Sequence, residues 1–405
     1  MNLFKLTCKN ILARPLSTLL SLMLIMLGVG LITFVLYMKQ DFENQMDKNI
    51  KGIDMVVGAK GSPLQLILSA IFHIDAPTGN IKLAEAEKLR KNRFVRSAIP
   101  LSYGDSYNGF RIVGTDTAYS GLYNARLQAG ALRKSDFEVN LGAKVAESLN
   151  LQVGDKFSGS HGLVEGGEAH DDKKYTVVGI FETSNTVLDQ LILTSLQSVW
   201  LVHDHAAEED HEDAEEGQQD HVSPDLEITA MLIKFRSPMG VVQLPRWVNT
   251  ETNMQAAVPS YELKRLISLM GVGIDTINGL AVVIMIVAGI SVFISLFNSL
   301  RERQPELALM RSYGASRNQL ALTVLMEGLL ITLLGFVMGI LLSKLGLILV
   351  VRFFPLGLTL QYPALTFTIQ ELYLLFLILA LGALASLIPV LQAIKLNISQ
   401  TLSKF

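Results

Sequence analysis

Disulfide chemistry is the first thing this sequence excludes. It contains one cysteine, Cys8, so no bridge can form within the chain. No small-residue lipobox precedes Cys8, which reads as a free thiol. Charge is also scarce. Asp, Glu, Lys and Arg make up 18% of the 405 residues and nearly cancel, leaving a net charge of −3. That balance gives no footprint for a nucleic-acid partner. The short motifs of hydrolytic chemistry are missing as well. No GxxxxGK(S/T) phosphate loop occurs, and GAKGS at 58–62 lacks its spacing. There is no GxSxG, HExxH or CxxC. The chain is therefore not expected to be an enzyme or to bind a cofactor itself. If it takes part in ATP-driven work, another polypeptide must carry the nucleotide site.

Apolar sequence, by contrast, is abundant. Half of the residues are hydrophobic and the mean hydropathy is +0.38, more than a soluble domain usually carries. Four runs reach the roughly 20 apolar residues that a bilayer crossing needs. They fall at 16–38, 274–298, 319–350 and 371–395. The first has no charged residue and no cleavage site after it, so it reads as an uncleaved anchor rather than a signal peptide. The third is interrupted by Glu327 and Lys344. Lys344, near its outer end, is expected to extend its ammonium to the interface, and Asp275 to reach the outer interface too.

Orientation follows from the positive-inside rule. Lys5, Lys9 and Arg14 precede the first run, four arginines lie between the second and third, and Lys395 and Lys404 follow the fourth. Residues 1–15, 299–318 and 396–405 are thus expected in the cytoplasm, with 39–270 and the short connection 351–370 outside. The fold class expected is a membrane protein with four transmembrane α-helices, one plus three, and a large α+β extracytoplasmic domain between helices 1 and 2. Residues 39–51 and 261–270 carry helix formers and are expected to extend the first two spans outward as a stalk. Strands are expected at VRSAIPLSY, NGFRIVGTD, KKYTVVGIFE and DLEITAMLIKF, and helices at LAEAEKLRKN and LGAKVAESLNL.

Two outer segments depart from this pattern. Residues 54–81 are unusually apolar, and PLQLILSAIFHI reads either as a core helix or as a surface for a lipid, lipoprotein chain or protein. His73 within it reads as a packed histidine. Residues 203–221 hold nine acids and four histidines, His203, His205, His211 and His221. Such a segment cannot build a core. It reads as a solvated acidic loop or as a loose site for Zn or another divalent metal.

The stretch 299–318, SLRERQPELALMRSYGASRN, is the candidate functional segment. Pro305 permits a new helix start, Glu306 suits its first turn, Leu307, Leu309 and Met310 offer an apolar face, Gly314 ends it, and Ser316 caps the next helix. The result is a short amphipathic helix along the membrane with arginines toward the cytosol. Such a helix fits a groove on a partner protein. Within the third span, Gly335 and Gly339 form a small-xxx-small pair that permits close helix approach, and Glu327 is a carboxylate in need of a partner or of water. Arg14 and Arg317 are the candidate partners.

These residues resemble the MacB/FtsX-like permease superfamily. Its cytoplasmic segment is close to ERxxEIGxxRAxGAS, and Glu302-Arg303, Glu306, Leu309, Arg311, Tyr313, Gly314, Ala315 and Ser316 fall on that pattern. Leu307, Ala308 and Ser312 depart from it. Met326-Glu327-Gly328 with Gly335–Gly339, the Pro389-containing end of the fourth span and LGAKVAESLNLQVGDKF are similar too, although Gln392 and Asn397 stand where arginine and aspartate are usual. The resemblance implies the permease subunit of an ABC transporter in the bacterial inner membrane, with N- and C-termini cytoplasmic. It implies two permease chains, here a homodimer, with two cytosolic ATPase subunits that carry ATP and Mg. Arg301, Glu302, Arg303, Glu306, Leu309, Arg311, Gly314 and Ser316 would couple to the ATPase. ATP-driven movement would pass through the stalk to the outer domain and act on an envelope cargo such as a lipoprotein, lipid or peptide. The alternatives are an FtsX-like regulator of an extracytoplasmic partner, for example a cell-wall hydrolase, and a metal-responsive envelope system.

Overall fold

The structure is a computed structural model that describes residues 3–13, 15–160, 169–209, 226–353 and 368–395. It begins with helices α1 (Leu3–Ala13) and α2 (Pro15–Ile50). The middle of the chain alternates strands with short helices. In order these are β1 (Met55–Ala59), α3 (Pro63–Ala70), β2 (Ile81–Lys82), α4 (Leu83–Arg90), β3 (Val95–Tyr107), β4 (Phe110–Thr115), α5 (Ala118–Leu122), β5 (Leu127–Gly130), β6 (Glu138–Leu141), α6 (Ala143–Leu149), β7 (Lys156–Ser160), β8 (Ala169–Phe181), β9 (Leu191–Thr194), α7 (Leu196–Glu209), β10 (Glu227–Ile228), β11 (Ala230–Phe235), α8 (Met239–Glu251) and β12 (Met254–Ala257). Four helices close the described chain: α9 (Pro259–Glu302), α10 (Gln304–Ser312), α11 (Arg317–Phe353) and α12 (Ile369–Lys395).

Two compact units result, with boundaries inside α2 and α9. In the membrane unit, α2, α9, α11 and α12 are long and apolar enough to cross a bilayer. No residue pattern forces polarity onto one face of these helices, because lipid as well as protein meets apolar side chains. What distinguishes the inner faces is small or hydroxylated side chains. Ser17 and Ser21 of α2 hydrogen-bond Ser295 and Ser291 of α9 at 3.2 and 2.9 Å. A Cβ on Gly382 of α12 would stand 2.6 Å from Thr332 Oγ1 of α11, so glycine is what lets these two backbones approach. Ile25, Val29, Val292, Ile331 and Ile378 fill the space between. Segment 1–15 is not featureless. Its residues 3–13 form α1, which packs on α11, and Thr7 is fully buried.

The outer unit is built on one mixed sheet in the order β12-β1-β11-β3-β4-β9-β6-β8-β5, with β7 beside β3 and β8. The β4–β9 and β6–β8 pairs are parallel and the other neighbours on this path antiparallel. Each expected strand and helix has a counterpart here, as β3, β4, β8, β10–β11, α4 and α6. One core cluster, with Met55, Leu89, Met231 and Val248, lies under α4 and α8. A second, with Leu141, Phe157 and Tyr175, lies under α6. The apolar stretch 54–81 divides into β1 and α3, and Leu66, Ile67, Ile71 and Phe72 are buried. It is core, and the reading of a surface for lipid or protein is not supported. The acid- and histidine-rich segment does not begin as a loop, because α7 carries helix through His203 and His205 to Glu209. Residues 210–225, with His211 and His221, lie outside the described residues, as do Arg14, residues 354–367 of the expected connection 351–370, and the tail at 396–405.

The outer end of α2 is fastened within this unit. Asn49 Oδ1 accepts the Val187 amide at 2.9 Å, and the Asn49 carbonyl accepts Tyr123 Oη at 3.4 Å. Behind Tyr123 stand Tyr119 and His73, with His73 Nε2 3.0 Å from Tyr119 Oη and Nδ1 2.9 Å from Tyr103 Oη. His73 is indeed packed. Burial, helped by the charge of Arg111, pushes its pKa down from 6.5 to about 3.

Candidate functional site

The segment joining α9 to α11 is built almost wholly from local interactions. α9 stops at Glu302. Pro305 occupies the first turn of α10 and donates no backbone hydrogen bond, so the chain restarts there without an orphaned N–H. Glu306 sits in the same turn and accepts from Arg303 Nε at 3.2 Å. At the other end Gly314 takes φ +97°, which a side chain would resist. Its amide bonds the Arg311 carbonyl, and the Ala315 amide bonds the Met310 carbonyl, both at 3.0 Å. This pair is a Schellman closure. Ser316 then caps α11, its hydroxyl accepting the Gln319 amide at 3.2 Å while Gln319 Oε1 accepts the Ser316 amide at 2.9 Å. That reciprocal capping box was readable as Ser316-x-x-Gln319.

Two faces of α10 follow. Leu307 and Ala308 are buried against Leu300, Leu320, Val324 and Ala393, with Met310 partly buried beside them. Leu309 is not part of this face. Residues 307 and 309 lie about 200° apart around a helix, and Leu309 is 47% exposed. It shares the outward face with Glu306, three residues before it, and Tyr313, four after, and Tyr313 is 88% exposed; Glu302, the last residue of α9, is exposed too. Arg301, Gly314 and Ser316 are exposed as well. The expectation that the arginines all point to solvent fails for two of them. Arg303 is turned onto Glu306 and Arg311 is half-buried. Tyr313 was not among the expected site residues, though its spacing from Leu309 marks it.

Within the membrane unit the small pair packs inside the chain. A Cβ on Gly335 would meet Ile25 at 2.6 Å, and one on Gly339 would meet Val29 at 2.7 Å. Both glycines therefore seat α11 against α2. Glu327 is buried. Lys344 does not simply reach for water: its ammonium lies 6.0 Å from the centroid of the Tyr37 ring. Tyr37 Oη in turn donates to Glu371 Oε1 at 2.5 Å, and Glu371 Oε2 caps α12 by accepting the Thr368 amide at 2.7 Å. Sequence reading missed Tyr37 and Glu371. Asp275 is exposed. Among the described residues no three His, Cys, Asp or Glu side chains are grouped to hold a metal ion.

Two family models account for nearly the whole described architecture. The MacB-like periplasmic core domain matches residues 18–239, and the FtsX-like permease C-terminal domain matches residues 278–398. The chain belongs to the MacB/FtsX-like family of ABC transporter permeases. No curated protein matches this permease in sequence. Among solved structures, the periplasmic region of MacB from Actinobacillus actinomycetemcomitans is similar at 12% identity and a TM-score of 0.35, over 55% of this permease and 97% of that chain. The extracellular domain of the noncanonic ABC-type transporter YknZ from Gram-positive bacteria is similar at 11% identity and a TM-score of 0.31, over 50% and 98%.

Proposed function

We propose that this permease is the membrane half of a two-part machine in the bacterial inner membrane, with both termini cytoplasmic. A separate ABC ATPase, carrying ATP and Mg, grips the outward face of α10. Two permease chains and two ATPase subunits make the assembly. Closure of the ATPases shifts α10, and α9 and α2 carry that shift to the outer domain, which acts on an envelope cargo such as a lipoprotein, lipid or peptide. The observation that carries the reading is the exposed face of Glu306, Leu309 and Tyr313, with exposed Glu302 at the adjoining end of α9. An 88% exposed tyrosine and a half-exposed leucine beside two carboxylates suit a protein groove better than water. The adjoining α9 has 44 residues without a break, about 66 Å at 1.5 Å per residue. It is long enough to run from that face through a bilayer core and beyond.

The test is co-purification in mild detergent with every accompanying chain identified. The wild type is expected to bring down an ABC ATPase. Leu309→Asp with Tyr313→Asp is expected to insert normally and lose it, because both side chains already face outward and leave the core of the turn untouched. Retention of the ATPase by this double variant refutes the assigned contact.

A further inference from the structure

A cleft of about 540 Å³ opens in the outer unit where α4, α8 and the start of β12 meet. That volume falls in the range of roughly 300–1,000 Å³ usual for small-molecule sites. Buried Leu89 and Met254 supply its apolar lining. One wall is Trp247, 46% exposed although its neighbours Leu244 and Val248 are buried. Lys60, Lys88, Glu85, Glu251, Thr250 and Asn253 line the cleft as well.

The walls are fixed before any ligand arrives. Asn249, two residues after Trp247, accepts the Ala256 amide on Oδ1 at 2.6 Å and donates from Nδ2 to the Ala256 carbonyl at 3.2 Å. It thereby pairs the open edge of β12, the end strand of the sheet, and pins α8 there. Lys60 Nζ donates to the Asn249 carbonyl at 3.3 Å. Thr252 Oγ1 donates to the Val248 carbonyl at 2.6 Å and accepts the Met254 amide at 3.1 Å, holding the turn below.

We propose that this cleft is a saccharide-binding site in which a sugar ring stacks on Trp247. A pyranose presents a face of C–H groups and a perimeter of hydroxyls. The indole with apolar Leu89 and Met254 matches the face, and two carboxylates, two ammoniums, an amide and a hydroxyl match the perimeter. The equal count of opposite charges disfavours the alternatives. Two glutamates repel a phosphate, and two lysines repel a cation. The proposal does not depend on how the permease couples to an ATPase.

The test uses the full chain in nanodiscs or a polyoxyethylene detergent, so that no sugar head group competes. Calorimetric titration with N-acetylchitotetraose and with maltotetraose is expected to show saturable binding of at least one. Trp247→Ala is expected to weaken it about tenfold or more, since stacking on an aromatic face carries much of such an interaction, while Trp247→Phe keeps most of it. Trp200, the other tryptophan, is packed and donates to the Glu227 carbonyl at 2.7 Å, so the fluorescence change on binding is expected to come from Trp247 and to vanish in Trp247→Ala. Circular dichroism confirms that the variants fold. Silence of both saccharides, binding unchanged in Trp247→Ala, or binding of inorganic phosphate alone each overturns the proposal.

Discussion

The buried histidine of the outer domain makes its stability depend on pH in a way that can be worked out in advance. Tyr103 Oη donates to the Ser69 carbonyl. Its oxygen is then left to accept, so His73 Nδ1 carries the proton and Nε2 accepts from Tyr119 Oη. A second proton on the ring would aim an N–H at a hydroxyl that is already donating. It would also put a cation in a largely desolvated site whose nearby charge is the Arg111 guanidinium. The folded chain therefore holds the ring neutral down to about pH 3, whereas an unfolded histidine takes up its proton near 6.5. Between those values the unfolded state binds one more proton, so stability rises with pH and is lost as pH falls. From pH 7 to pH 5 the loss is about 2 kcal/mol for this residue alone, approaching about 1.4 kcal/mol per further unit. Urea unfolding of the full chain in mild detergent, read by tryptophan fluorescence, isolates the outer domain, because the chain's two tryptophans, Trp200 and Trp247, both belong to that unit. Carboxylates titrate in every variant, so the decisive quantity is a difference. His73→Asn tolerates the left-handed backbone at φ +56° and does not titrate. It is expected to be less stable at pH 7, by about 1–3 kcal/mol for the hydrogen bonds that the ring makes to Tyr103 and Tyr119 plus the loss of the ring's packing. Its stability should then fall by about 2 kcal/mol less than that of the wild type between pH 7 and pH 5. Parallel losses in the two proteins would refute the neutral, buried histidine.

Three further outcomes follow from the packing. Gly339→Val drives a side chain into Val29 and the Met26 carbonyl, 2.7 and 3.0 Å from the added Cβ. It is expected to cost about 1–3 kcal/mol or more in thermal unfolding of the solubilised chain, while Gly271→Ala, with nothing within 4 Å, is tolerated. Tyr37→Phe strips a donor from the buried Glu371 carboxylate and is expected to lower the melting temperature in detergent by an amount equivalent to about 1–3 kcal/mol; an unchanged melting temperature would show that water replaces the hydroxyl. Asn249→Ala releases both backbone groups of Ala256, and hydrogen exchange is expected to speed up at β12 well before it does at β11 in the sheet interior.

What could be read from the sequence divides by the distance over which each interaction acts along the chain. The turn between α9 and α11 was legible in its backbone, because Pro305, Gly314 and Ser316 each act on backbone groups within five positions. Two readings of it failed: Leu309 was grouped with Leu307 and Met310 on one apolar face by adjacency instead of by the 100° step of a helix, and the turn of Arg303 and Arg311 away from solvent was not legible. The four spans and the strands were legible for a similar reason, since hydropathy and alternation are properties of short windows. The residues that fasten these pieces were not legible. Tyr37 meets Glu371 across 334 positions and the Asn49 side chain meets the Val187 amide across 138, and no local pattern distinguishes Tyr37, Glu371 and Asn49 from other polar side chains. Gly335 and Gly339 fall between the two cases. Their spacing announced a close approach, yet the sequence left its partner open, and only the fold gave it to α2 of the same chain. A rigid short turn is thus written locally, while a joint between distant elements brings together parts that the chain visits far apart. In a protein proposed to convey movement along its helices, the joints at Asn49 and Glu371 deserve the same experimental effort as the turn itself, because a stiff rod transmits nothing through a loose end.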